Sequence, residues 1–416
     1  MSKQVSPIYA GMLADYFDEA AFKILAQVDI ISPVSNQHEW NGVAALKKLF
    51  GTQRCECPVV FTYLHEEESR ISSVEGMVTW YDSREKSSAR TGRSEYRLYY
   101  PSNDVTREMK AGDLLVIAKK GTDFHIFIAE KFSIAEQQLL WMFGTDREHT
   151  TSFEIKEFTK TPFTTDTTQS LVSRFLLDTL GIVPKDADEA YIPELTKAFQ
   201  DKMPDTDHLL QFVINDLKGE IDPVADPDET VLKLFYKQEI LYKTLERNRI
   251  VSKLKAGFEP SDPVQDFINF SLSVQNARKS RAGTALERQL CYIFDKNEVQ
   301  YSYNKVTEHP SKPDFIFPSI EKYHSPEFPA DQLYMLASKS TCKDRWRQVL
   351  AEAARISHKH LFTLEPRISI NQTVEMTNNN LTLVLPTRIK QTYTNEQQKN
   401  ILSLRDFIAL VKQLNH

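Results

Sequence analysis

Lys339-Ser340-Thr341-Cys342-Lys343-Asp344-Arg345-Trp346-Arg347-Gln348-Val349-Leu350-Ala351, with Glu352 next, changes its hydrophobic period halfway along. The residues in front of it, Gln332 to Ser338, form a short apolar run, which predicts a buried strand ending at Lys339, where a sheet meets solvent. From Arg345 the spacing becomes helical. Trp346, Val349, Leu350, Ala353 and Ile356 make an apolar stripe, while Arg345, Gln348, Glu352 and Arg355 fall on the other face and can turn Glu352 toward the strand end. Upstream, Asp314 lies in Pro313-Asp314-Phe315-Ile316-Phe317-Pro318, a short strand whose apolar flanks lock the carboxylate in place. Strands and helices in this order belong to an α/β or α+β layer.

Two carboxylates, a lysine and a basic lip are the residue types that divalent-metal phosphodiester chemistry uses. Magnesium takes oxygen ligands and keeps several waters, so Asp314 and Glu352 suffice when a phosphate completes the shell. The cation makes hydroxide available near neutral pH and offsets charge on the phosphorane. Lys339, close to an attacked phosphate, positions or deprotonates the water and neutralises developing charge.

This constellation resembles the PD-(D/E)XK nuclease superfamily, in the variant of EcoRII-like restriction endonucleases. The common motif has an acid two residues before the lysine, and here that position is Ala337. In the EcoRII-like, CCGG-cutting branch the second acid sits on the following helix, and Glu352 matches it. Tyr323, in the run Tyr323-His324-Ser325-Pro326-Glu327-Phe328-Pro329, also resembles the family, which adds it to the catalytic set. The resemblance implies a type II site-specific restriction endonuclease that hydrolyses double-stranded DNA with Mg2+ at a GC-containing, CCGG- or CCNGG-like palindrome. It further implies a homodimer, since a palindrome matches a twofold axis.

Two more segments gain meaning beside it. Arg278-Lys279-Ser280-Arg281-Ala282-Gly283 is nearly the family's string, and it reads as a phosphate clamp (Arg278, Lys279, Arg281) just before a helix start. Glu287, one helix upstream of the core, is a third metal-site acid or an exposed helix glutamate. Lys343-Asp344-Arg345, with Arg347, resembles the element that reads adjacent G:C pairs, arginine bonding guanine and aspartate accepting from cytosine. Without the resemblance it is an exposed salt bridge.

The 416 residues should hold two or three domains, and 41% hydrophobic with 26% charged residues are globular values. A net charge of -6 requires any DNA surface to come from local clustering. Four scattered cysteines fit a reducing compartment without a disulfide framework, and Cys55-x-Cys57 lacks zinc-site spacing. No leader or long apolar span stands out, so a prokaryotic cytoplasmic location without membrane contact is expected.

Between residues 55 and 130, five short runs rich in aromatic and β-branched residues predict a barrel or sandwich: 59–63, 76–81, 96–100, 114–117 and 124–128. A helix follows over Ile134 to Phe143. The basic loop Arg84, Lys86, Arg90, Arg93 and Arg97, interleaved with tyrosines, loosely resembles the DNA-binding pseudobarrel of EcoRII-like enzymes. A protein-interaction β-domain is the other reading. The resulting organisation is multidomain: an N-terminal all-β pseudobarrel-like DNA-binding specificity or effector domain (1–158), a threonine-rich linker (159–170) and a C-terminal α/β restriction-endonuclease-like domain (171–416). Within the latter, helices are expected over 171–180, 192–203, 207–217 and 229–254, then after Asp262, with a strand at 381–385 and a final helix at 404–414. Two alternatives stay open, a non-enzymatic DNA-binding regulator and a nuclease restricted to modified DNA.

Overall fold

The computed structural model of the chain describes residues 17–30, 38–66, 72–85, 93–143, 147, 152–157, 191–199, 203–308, 311–340, 342 and 345–413, without the side chains of 141–143, 279, 280 and 282. The chain divides into two compact units, Met1–Val183 and Pro184–His416. The stretch 159–170, expected as a linker, and the helix expected at 171–180 lie outside the described residues.

The first unit is built on eight strands: β1 (Glu19–Ile24), β2 (Glu39–Gly42), β3 (Cys55–Leu64), β4 (Ser72–Asp82), β5 (Tyr96–Tyr99), β6 (Leu114–Lys120), β7 (Asp123–Ala129) and β8 (Glu154–Glu157). Their order is β2-β5-β4-β3-β7-β6-β1-β8, antiparallel throughout except for β3 beside β7. All five expected strands are present. β2, β8 and β1 carry weaker signals, because Glu39-Trp40-Asn41-Gly42 and Glu154-Ile155-Lys156-Glu157 are mostly polar and gain their structure by pairing with β5 and β1. Gly42 is required there, since a Cβ would lie 2.4 Å from the Tyr96 carbonyl oxygen. The unit is not purely β. Helices α1 (Ala44–Phe50), α2 (Asp104–Glu108) and α3 (Ile134–Phe143) accompany the sheet, and α1 packs on β1, β2 and β8, so one helix touches both ends of the strand order and the sheet is curled. Trp40 and Tyr100 stack at 4.2 Å in the core and both donate to the Asp29 carbonyl, which satisfies their polar atoms without water.

The second unit contains a six-stranded sheet: β9 (Ser302–Tyr303), β10 (Phe315–Phe317), β11 (Tyr334–Ser338), β12 (Lys359–Phe362), β13 (Leu381–Val384) and β14 (Ile401–Leu402), in the order β14-β13-β12-β11-β10-β9. β11 to β14 run parallel, whereas β9 and β10 run antiparallel to their neighbours. β10 and β12 are buried along their whole length, as expected of strands covered on both faces. Around the sheet lie α4 (Ile192–Phe199), α5 (Thr206–Asp216), α6 (Pro227–Ala256), α7 (Pro263–Lys296), α8 (Ile320–His324), α9 (Trp346–Val349), α10 (Ile370–Asn378), α11 (Thr387–Lys390), α12 (Asn395–Gln398) and α13 (Leu404–Lys412). Phe294 at the end of α7 meets Phe315 and Phe317 edge-on at 5.3 and 5.5 Å, which seats that helix on β10. No described helix is long and apolar enough to cross a membrane.

Two sequence expectations are corrected. Arg278, Lys279 and Arg281 do not precede a helix start, because α7 is a single helix of 34 residues capped by Asp262. Glu246 and Glu239 of α6 pair with Arg278 and Arg281, so the basic run is neutralised from the neighbouring helix and the helix continues through it. The helix expected from Arg345 past Ile356 stops at Val349. Ala353 takes a left-handed φ of 47°, and the buried Lys359 ammonium donates to the Ala353 and Ile356 carbonyls at 3.3 and 2.7 Å, holding those groups outside any helical ladder.

His360 on β12 is 3% exposed, packed at 5.1 Å on the Phe407 ring, and burial, with His358 beside it, pushes its pKa down to about 4. The folded value is below the unfolded 6.5, so the unfolded chain binds more protons between those values and stability falls as pH drops through that window. His360→Gln should flatten this slope, by an amount on the order of 3 kcal/mol between pH 7.5 and pH 4. Urea unfolding of both proteins at the two pH values measures it, and equal losses would remove His360 as the acid-sensitive group.

Candidate active site at the carboxyl ends of the parallel strands

Antiparallel pairing of β10 with β11 sets Phe315 opposite Leu336, so the chain entering β10 meets the chain leaving β11. Asp314 and Lys339 thereby come together across 25 residues of sequence. The Ser338 amide donates to Asp314 Oδ2 at 2.7 Å and Lys339 Nζ donates to the same oxygen at 3.1 Å. Both bonds fall on Oδ2. The Lys339 amide donates to the Phe362 carbonyl of β12, which fixes the lysine backbone at the sheet edge. Ala337 is fully buried between these strands, and the carboxylate usual at that position would have no water there.

Glu352 faces the pair from the segment beyond α9 rather than from a helix face. Burial pushes its pKa up to about 7; Lys339 pulls against this and Asp314 adds to it, which places all three groups in one electrostatic neighbourhood. Its Oε2 is buried with no hydrogen bond. A buried carboxylate oxygen with no donor costs free energy that a cation would offset. Glu287 on α7 belongs to the same neighbourhood: burial raises its pKa, Asp314 raises it further and Lys339 lowers it, while Tyr303 donates to Oε2 at 2.6 Å. Among the described residues no group of three His, Cys, Asp or Glu is arranged to hold a metal ion. The neighbourhood instead offers the carboxylates of Asp314, Glu352 and Glu287 around Lys339, all hard oxygens, and this fits a cation that needs only one or two protein ligands.

The other expected residues divide. Tyr323 is buried, and its hydroxyl is committed to Glu308, to which it donates, and to the Arg355 amide, from which it accepts at 3.2 Å. Through the Arg355 amide it is bonded to the segment that bears Glu352. Arg281 pairs with Glu239 and lies 3.7 Å over the Tyr242 ring, and Arg278 bonds Glu246 at 2.8 and 2.5 Å. Arg345 is exposed at the start of α9, and Arg347 reaches Glu375 at 2.9 Å. In the first unit Arg84 bonds Glu95 at 2.6 Å, Arg97 bonds Asn41 and Glu95, and Arg93 is exposed. Lys86, Arg90, Lys343, Asp344 and the Lys279 side chain lie outside the described residues. Sequence reasoning missed Glu308, Lys359 and Glu365. Glu365 is 2% exposed and accepts the Cys342 amide at the root of the 343–345 triplet, but nothing in its local sequence marks it.

Residues 242–408 match the protein-family model described as EcoRII C terminal. A type II restriction enzyme, EcoRII of Escherichia coli, is 39% identical over 185 residues, which is 44% of this chain and 45% of that protein, so the match spans about half of each. Among solved structures, a PspGI restriction endonuclease in complex with substrate DNA is similar at 19% identity and a TM-score of 0.41, covering 51% of this chain and 95% of that one. Metal-depleted Ecl18kI with uncleaved, modified DNA is similar at 18% identity and a TM-score of 0.44, covering 56% and 84%. Asp314, Lys339 and Glu352 all fall inside the residues that match the EcoRII C-terminal family model.

Proposed function

We propose that the chain is a type II site-specific restriction endonuclease, hydrolysing double-stranded DNA at a GC-containing, CCGG- or CCNGG-like palindrome as a homodimer in a prokaryotic cytoplasm. The observation that carries this reading is the Asp314–Lys339 pair at the carboxyl end of β11 with Glu352 beside it, inside the segment that matches the EcoRII C-terminal family. Open α/β sheets bind ligands at the carboxyl ends of their parallel strands, which is where these groups sit. Asp314 and Glu352, with Glu287 in support, would hold Mg2+, which would supply charge neutralisation for the phosphate and a more acidic attacking water. Asp314 holds Lys339 through Oδ2, and its other oxygen would serve the cation. Lys339, half anchored by that bond, orients the water and stabilises charge that develops on the phosphate oxygens. Arg345 reads a guanine, in company with Lys343, Asp344 and Arg347, and Arg278, Lys279 and Arg281 support the backbone of the duplex. At Arg278 and Arg281, duplex phosphates compete with Glu246 and Glu239.

The N-terminal unit is read as a DNA-binding specificity or effector module of the pseudobarrel kind, with Arg84, Lys86, Arg90, Arg93 and Arg97 as its contact loop. A protein-interaction β-domain is the other reading, and the curled eight-stranded sheet is compatible with both.

Asp314→Ala, Lys339→Ala and Glu352→Ala should each abolish cleavage of plasmid DNA in Mg2+ while specific binding persists. Cleavage at the wild-type rate by any of them would take that residue out of the site. Arg345→Ala should relax discrimination at one G:C pair by about 1–3 kcal/mol, whereas Arg278→Ala should weaken binding evenly across sequences. Competition binding with single-base variants separates the two, and a uniform loss for Arg345→Ala would make it a phosphate contact. If the N-terminal unit is an effector, a plasmid with two sites is cut faster than one with a single site, and a short duplex added in trans restores the single-site rate. Identical rates would recast that unit as part of primary target recognition.

A further inference from the structure

Glu352 stands beyond the end of α9, on a segment that has neither helix nor strand before β12 begins at Lys359. Backbone of this kind holds a side chain in place only if its own amides and carbonyls are tied down. Here they are tied down from one side of the site. The Ala354 amide donates to Glu308 Oε2 at 3.2 Å, the Arg355 amide donates to the Tyr323 hydroxyl at 3.2 Å, and that hydroxyl in turn donates to Glu308 Oε1. The Arg355 guanidinium closes on the carbonyls of Tyr323, Ser325 and Phe328, the last two at 3.0 and 2.8 Å. Glu308 belongs to the connection between β9 and β10, which ends at Asp314, and Ser311 is bonded back to the Glu308 carbonyl at 2.9 Å. One carboxylate therefore links the segment that delivers Asp314 to the segment that delivers Glu352.

We propose that Glu308 and Tyr323 are positioning residues that hold the Glu352 carboxylate at the spacing from Asp314 that a divalent cation requires, a role that rests on the assignment of Glu352 as a metal ligand. Neither touches the Glu352 side chain. They act through the backbone of residues 354 and 355, and the Tyr323 hydroxyl, 1% exposed as a residue, spends both its donor and its acceptor on this relay. The arrangement explains why a buried tyrosine at this position accompanies an acid that no regular element supports. Partners of this indirect kind alter metal affinity by about ten- to a hundred-fold when removed.

The test is binding of Mn2+ alone to the full-length chain, followed by the loss of the free-ion electron paramagnetic resonance signal, together with thermal melting of the metal-free proteins. Glu352→Gln is expected to weaken Mn2+ binding, and Tyr323→Phe, which deletes one oxygen, to weaken it about ten-fold. Glu308→Gln should do the same, and the double variant no more than either single one, since both break one relay. Cleavage by Tyr323→Phe should recover as the metal concentration is raised. A lower melting temperature with unchanged Mn2+ affinity in Tyr323→Phe would make the network purely structural and overturn the proposal. If Glu308→Gln does not fold, Tyr323→Phe alone decides. Should Glu352→Gln bind Mn2+ as the wild type does, the ligand assignment falls and the relay with it; weakening by Glu352→Gln but not by Tyr323→Phe overturns the relay only.

Discussion

The bond from the Ser338 amide to Asp314 Oδ2 is the contact on which the second unit's site depends. It is made across an antiparallel pair, so it exists only because β10 turns against the direction of the four strands that follow it. The Ser338 amide and the Lys339 ammonium both bond one oxygen of this buried carboxylate, at 2.7 and 3.1 Å, which fixes its rotamer. The lysine is held by the same bond, so acid and cation are placed together or not at all.

Glu352 is handled in the opposite way. Asp314 is paired and anchored, whereas Glu352 is half-buried, has an oxygen without a donor, and is pushed up to about 7. Such an imbalance between two acids marks functional positions more often than structural ones. The segment bearing Glu352 tolerates the imbalance because its backbone is fastened from outside by Glu308, Tyr323 and Lys359, and its own Arg355 side chain bonds the Phe328 carbonyl.

Charge in the long helical pair follows a related logic. The run at Arg278 to Arg281 reads as a free basic clamp in sequence, but Glu239 and Glu246 of the antiparallel neighbour meet Arg281 and Arg278. A duplex phosphate would have to replace partners already in place. The net gain from such an exchange is smaller than the number of arginines suggests.

Local pattern alone was enough for several features. The apolar run ending at Lys339, the strand holding Phe315 to Phe317 and the helix at Ile134 to Phe143 all follow from residue periodicity, which acts over a few neighbours. The residue types at 314, 339 and 352 also declare their chemistry without a structure. Where α9 ends was not legible, because the stripe from Trp346 to Ile356 is helical in period while the force that breaks it comes from Lys359, Tyr323 and Glu308, all outside it. The edge strands β2 and β8 were hidden for the same reason: their hydrogen bonds are supplied by strands far along the chain. Sequence specifies what each residue offers and how its near neighbours repeat. Which donor finds which acceptor across the sheet is decided by long-range packing, and that alone turned an aspartate, a lysine and a glutamate into one site.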